Sequence, residues 1–162
     1  MRVTLDTNLV DNARIGALAL RLNWDVCIIS VSKRETESTS YAADADKHES
    51  VSETMVWGES RWGEGTWSDD SVGDCLERAL VIIGGGSFPK SGKRDALRRG
   101  QRNQLRDAMI LCTHVREGRD LFITDDKKAF VTAGRREAFE GAFNVRILTS
   151  AECLATFDAP AA

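Results

Sequence analysis

Apolar residues in this chain fall into two textures. Short continuous runs rich in β-branched residues alternate with longer stretches in which apolar positions recur every three to four residues. The first texture predicts strands buried on both faces, the second amphipathic helices. Arg2–Leu5 alternates like a strand and ends on Asp6-Thr7-Asn8. Residues 9–22 place Val10, Ala13, Ala17 and Leu20 at helical spacing, which predicts a helix that Thr7 or Asn8 caps. Residues 26–31 (VCIISV) predict a second strand, and Ser32-Lys33-Arg34-Glu35 has the capping-box spacing that opens a helix. Residues 71–83 predict a helix stopped by Gly84-Gly85-Gly86. Residues 95–115 read as one long helix or two short ones about Gly100, and Asp107 opens the apolar second part. Residues 121–124 (LFIT) predict a strand running into Asp125-Asp126, and 127–143 a helix broken at Gly134 and Gly141. Residues 145–148 predict a last strand, and Thr149-Ser150-Ala151-Glu152 a capping box before a terminal helix. This alternation predicts an α/β fold, a three-layer α/β/α sandwich with a mostly parallel central sheet.

The texture changes between about residues 38 and 70, which read as an insertion-like segment of Ser, Glu, Asp and Gly. Trp57-Gly58-Glu59 recurs as Trp62-Gly63-Glu64, too few copies for a repeat architecture. One reading is a Gly-bent loop or hairpin whose tryptophans cover the core edge. The other is an aromatic platform on which bases stack. Residues 87–94 (SFPKSGKR) resemble a P-loop only in outline. The first Gly is missing, and Arg94 stands where the metal-binding Ser/Thr belongs, so an NTPase is rejected. A length of 162 residues fits a single domain spanning the chain.

Composition narrows the chemistry. Cys27, Cys75, Cys112 and Cys153 are far apart, which argues against a zinc site or a disulfide framework. With only His48 and His114 in addition, any bound metal must be held by oxygen, which selects a hard cation. No apolar run approaches the ~18 residues of a membrane span, and the N-terminus does not read as a signal peptide. The expectation is a cytoplasmic protein without a membrane partner. Residues 1–80 hold 8 Lys/Arg against 15 Asp/Glu, whereas residues 81–162 hold 14 against 10. Lys90, Lys93, Arg94, Arg98, Arg99, Arg102 and Arg106 stand in one stretch against Asp95 alone. Such a run is commonly a solvated helix face, and it can also neutralise nucleic-acid phosphates.

In parallel α/β sheets the working residues lie beyond the carboxyl ends of the strands. Asp6 follows the first strand, Glu35 lies one helical turn after the second, and Asp125-Asp126 follows LFIT. Asp107 adds a fourth carboxylate, which N-capping alone could explain. Crowded carboxylates repel, and a divalent cation relieves that repulsion while activating water. The segments LDTN (5–8), SVSKRE (30–35), RDAMILC (106–112) and ITDDKKAF (123–130) together resemble the ordered acidic motifs of PIN-domain nucleases. The resemblance implies a Rossmann-like sandwich and a Mg²⁺- or Mn²⁺-dependent ribonuclease, often the toxin of a toxin–antitoxin pair. It implies Asp6, Glu35, Asp107 and Asp126 as catalytic acids, with Asp6, Asp107 and Asp126 holding metal. Asn8, Thr124 and Asp125 are implied as supporting residues, and RNA as the substrate. An antitoxin protein and a second copy of the chain are the protein partners left open. The middle region is longer and richer in Trp and Gly than in compact toxin members. Two rivals are set aside on residues. A haloacid-dehalogenase-like phosphatase needs DxD where Asp6-Thr7-Asn8 stands, and a receiver domain needs its acceptor Asp earlier than Asp125. The alternative kept open is a non-catalytic nucleic-acid-binding or partner-binding module on the same fold.

Overall fold

The computed structural model describes residues 1–56, 59–61, 63, 65–66, 70–94, 96–132 and 134–158. Its elements run β1 (Arg2–Leu5), α1 (Ala13–Arg21), β2 (Asp25–Ile29), α2 (Ser30–Thr36), α3 (Ala42–Ala45), β3 (Glu49–Val51), β4 (Glu53–Thr54) and β5 (Gly65–Thr66). They continue through α4 (Asp70–Gly84), α5 (Arg99–Arg116), β6 (Leu121–Ile123), α6 (Arg135–Phe143), β7 (Ile147–Leu148) and α7 (Ser150–Phe157). The main sheet has the order β3-β2-β1-β6-β7, and every neighbouring pair is parallel.

Period-two alternation along the strands divides the core between the two faces. Cys27, Ile29 and Phe122 pack with Ala79 and Leu80 of α4, Met109 and Leu111 of α5 and Phe139 of α6. Val3, Leu5, Ile28, Leu121 and Ile123 pack on the opposite face with Ile15 and Leu18 of α1 and Cys153 of α7. Helices therefore cover both faces, the three-layer α/β/α sandwich that the alternation predicts. Among the described residues, no helix is long and apolar enough to cross a membrane.

Several local expectations are corrected. The first helix starts later than expected: a 3₁₀ turn covers Thr7–Leu9, and Asn12, not Thr7 or Asn8, caps α1 by accepting from the Ile15 amide. Helix α2 leaves β2 directly at Ser30, so Ser32 lies inside it rather than at its cap. The capping box at Thr149 does form, with the Thr149 side chain accepting from the Glu152 amide. A π-helical turn at Lys127–Val131 precedes α6, Gly134 takes a left-handed conformation before it, and Gly141 sits inside it without breaking it. The segment read as insertion-like supplies β3 to the sheet edge, and β4 and β5 pair in parallel rather than as a hairpin. Trp57, Trp62 and Trp67, on which the two readings of the tryptophan segment turn, lie outside the described residues. Cys75 and Cys112 form a disulfide between α4 and α5, contrary to the expectation that the scattered cysteines form no disulfide framework, with Cα atoms 5.9 Å apart. Their spacing in sequence carries no hint of this; the packing of α4 on α5 brings them together.

Candidate active site

Strand order turns at β1. The chain lays down β2 and β3 on one side of it and later β6 and β7 on the other. At such a switch point the connections leave in opposite directions and open a crevice beyond the strand ends. Asp6 stands at the end of β1 and Thr124-Asp125-Asp126 at the end of β6, the two strands that border this point.

Asp6 is buried and held by three donors. The Thr7 amide donates to its Oδ1 (2.8 Å), while Asn8 Nδ2 (2.8 Å) and the Thr124 hydroxyl (2.6 Å) donate to Oδ2. Thr124 in turn accepts from the Asp126 amide (3.0 Å), and Asn8 Oδ1 accepts from the Asp125 amide (3.1 Å). The Thr7 hydroxyl donates to Glu35 Oε2 (3.0 Å), tying the end of β1 to α2. Each residue of Asp6-Thr7-Asn8 thus links a different part of the crevice.

Asp107 lies mid-way along α5, which begins at Arg99, so helix capping does not explain it. Its side chain has no hydrogen-bond partner among the described residues. Burial, followed by the charges of Asp6, Asp126 and Glu35, pushes its pKa up to about 8. Burial also raises Asp6 to about 6, although the Thr124 and Thr7 hydrogen bonds pull it down and Asp126 and Glu35 push it up. The four acids expected from the sequence therefore share one electrostatic neighbourhood, reached from β1, α2, α5 and the end of β6. Asp125 is not part of it in the same way. Its two oxygens accept from the Ser150 amide (2.9 Å) and hydroxyl (2.6 Å), fixing the start of α7.

Among the described residues, no three His, Cys, Asp or Glu side chains already stand as a metal-binding group. Asp6 accepts from three donors, and Asp126 Oδ1 accepts from the Ala129 amide (2.8 Å). The donor chemistry nonetheless fits a hard divalent cation. All candidate ligands are carboxylate oxygens, and Asp107 has three acidic neighbours and no donor to offset its charge.

Two cavities flank the acids. One of about 430 Å³ is lined by Asp107 and Asp126 with Arg98, Lys128 and Arg135. The other, of about 460 Å³, is lined by Glu35 with Arg99, Arg102 and Arg106. Asn103 lines both. Four of the seven basic residues expected to bind nucleic acid thus border the acids: Arg98, Arg99, Arg102 and Arg106. Lys90 and Lys93 line neither cavity, and Arg94 is drawn away by Glu77 (2.7 Å) and the Pro89 carbonyl (3.0 Å). Sequence reasoning missed Glu59. Its carboxylate is almost fully buried, hydrogen-bonds Arg106 and approaches Arg102 (3.8 Å), while Arg106 also faces Glu35 (3.6 Å). Nothing in the local sequence marks Glu59, because its partner lies 47 residues away. No protein-family model matches the chain, and none of the curated proteins matches it.

Proposed function

We propose that the chain is a PIN-like, Mg²⁺- or Mn²⁺-dependent endoribonuclease. The observation that carries the reading is the meeting of Asp6, Glu35, Asp107 and Asp126 at the switch point, where Asp107 is raised to about 8 by burial and by the other three acids. Such a perturbed group in a cleft is a mark of functional sites. Asp6, Asp107 and Asp126 would hold the cation. Held there, a cation would supply a lowered pKa for the attacking water and stabilisation of charge on the phosphoryl oxygens. Thr124 and Asn8 fix the Asp6 carboxylate, and Thr7 holds Glu35, which orients the attacking water. Water would add to phosphorus as the bond to the leaving ribose oxygen breaks, the attacking water giving up a proton to solvent and the leaving oxygen taking one from it. Arg99, Arg102 and Arg106 bind the flanking phosphates. The toxin role, an antitoxin partner, a homodimer and a cytoplasmic setting belong to the same proposal. In a reducing cytoplasm the Cys75–Cys112 bond would be open.

The test is cleavage of labelled single-stranded RNA in EDTA, Mg²⁺ or Mn²⁺, run beside Asp6→Asn and Asp126→Asn. Metal-dependent cleavage lost in both variants is the expected result. Full cleavage by Asp6→Asn defeats the site assignment. In the rival reading, a non-catalytic binding module, RNA binds but neither cation changes the melting temperature.

Glu59 tempers the basic face. In an Asp126→Asn background, Glu59→Gln removes the negative charge that occupies Arg106 and Arg102. Single-stranded RNA should then bind several-fold tighter at low salt. The slope of log K against log salt should steepen by about 0.7, the value of one further phosphate contact. Fluorescence anisotropy at several salt concentrations measures both. An unchanged slope would mean that these arginines do not meet phosphate.

A further inference from the structure

The two cavities beside the acids differ in chemistry. The Glu35 cavity is walled by guanidinium groups, which suits phosphates and carries little sequence information. The Asp107/Asp126 cavity, at about 430 Å³, falls in the range of sites that enclose a small ligand, about 300–1,000 Å³. Its cations are Arg98 at the N-cap of α5, Lys128 on the π-helical turn and Arg135 at the start of α6. The same cavity is lined by primary amides of α5: Gln101, Asn103 and Gln104. Gln101, Gln104 and Asp107 are spaced by three residues, so they form one stripe on the helix leading to the carboxylate.

The amides are not equivalent. Gln101 Oε1 accepts from the Arg98 amide (3.0 Å), which orients that side chain at the helix start. Gln104 is half-buried and lines the cavity, and its side chain makes no hydrogen bond among the described residues. A primary amide presents a donor and an acceptor side by side. This pair matches the N6/N7 edge of adenine, whereas guanine is met best by Arg or Lys. Unpaired bases expose such edges fully in single-stranded RNA.

We infer that the Asp107/Asp126 cavity is a specificity subsite that takes one unpaired nucleotide beside the scissile phosphate, with Gln104 reading the base edge and Lys128 and Arg135 meeting the phosphate. The inference rests on the ribonuclease reading for its place in catalysis, but the cavity's preference among nucleotides can be measured without cleavage. Adenosine monophosphate is the expected best ligand. The other wall, lined by Arg99, Arg102 and Arg106, then holds the chain on the far side of the acids without regard to sequence.

The test is calorimetric titration of the full chain, in EDTA, with adenosine, guanosine, cytidine and uridine 5′-monophosphates. Wild type should bind adenosine monophosphate at least about fivefold tighter than the others, the discrimination that one bidentate amide contact provides. Gln104→Leu should level the four affinities, and Lys128→Ala should weaken all four alike while keeping their ratio. Circular dichroism establishes that both variants fold. Equal binding of the four nucleotides, a best ligand other than adenosine monophosphate, or a preference that survives Gln104→Leu overturns the inference. Selective binding by a chain that cleaves no RNA would uphold the subsite and defeat the nuclease reading. Cleavage of RNA together with equal nucleotide binding would do the reverse.

Discussion

Asp107→Asn should cut metal-dependent RNA cleavage by about a hundredfold or more and, in EDTA, make the protein more stable. Both effects have one cause. A cation contributes several kcal/mol of transition-state stabilisation, and each 1.4 kcal/mol lost is tenfold in rate, so weakening its hold by one carboxylate brings a loss of at least two orders of magnitude. The same carboxylate burdens the metal-free fold. It is half-buried, it faces Asp6, Asp126 and Glu35, and it has no donor to offset its charge among the described residues. Asn keeps the shape and removes the ionisable group. With allowance for partial exposure, the gain should be about 2 kcal/mol near neutral pH, a rise of several degrees in melting temperature for a chain of this size. A carboxylate kept for packing or capping would behave in the opposite way, since its removal would cost stability. Thermal melting in EDTA and single-turnover cleavage in Mn²⁺ measure the two effects on one preparation. Loss of both stability and activity would place Asp107 among structural acids.

Without metal, stability should fall between pH 6.5 and 8, and Mg²⁺ or Mn²⁺ should reverse that trend. Three perturbed groups set the window. His114 is buried against the Thr4 hydroxyl, and burial lowers its pKa to about 4 from an ordinary 6.5. Below pH 6.5 the unfolded chain binds a proton there that the folded chain refuses, so His114 makes stability rise with pH up to 6.5 and no further. Asp6 acts in the other direction between its ordinary 3.8 and about 6, and the two contributions largely oppose each other. Asp107 remains. From 3.8 to about 8 the folded protein keeps a proton that the unfolded chain has released, so unfolding becomes easier as pH rises through that interval. Above pH 6.5 it acts without the other two. The expected loss by pH 8 is about 1–2 kcal/mol, given 1.4 kcal/mol per unit and partial exposure. A cation held by the acids as proposed would bind their ionised forms, so its affinity and the stability it adds would increase over the same interval. Parallel melting-temperature profiles in EDTA and in millimolar Mg²⁺ would mean that no cation competes with the Asp107 proton.

The sheet was legible because its strands are unusual text. VCIIS and LFIT are apolar without alternation, as strands covered on both faces must be, and the acids that follow them mark the strand ends. Edge strand β3 escaped reading. It is three residues long (ESV), and its partner Cys27–Ile29, not its own composition, makes it a strand. Of the capping boxes, the one at Thr149 is readable because Thr149 stands between the end of β7 and the start of α7, where an N-cap is needed. The Ser32 box misled because α2 grows straight out of β2 and has already begun. Asp107 was placed at a helix start because residues 99–106 are polar. They form the more exposed first turns of the same helix, with Leu105 already in the core, and only the fold places the acid in mid-helix. Glu59 and the Cys75–Cys112 pair depend on contacts between distant segments, which no local pattern records.

In the proposed site Asp6, Asp107 and Asp126 together hold a hard divalent cation. The most direct test is a Mn²⁺ titration at pH 8, following the electron paramagnetic resonance signal of free ion, on wild type and Asp107→Asn. Saturable binding by wild type that is strongly weakened in Asp107→Asn is the predicted result. No saturable binding by the folded wild type, or binding that Asp107→Asn leaves unchanged, would contradict it.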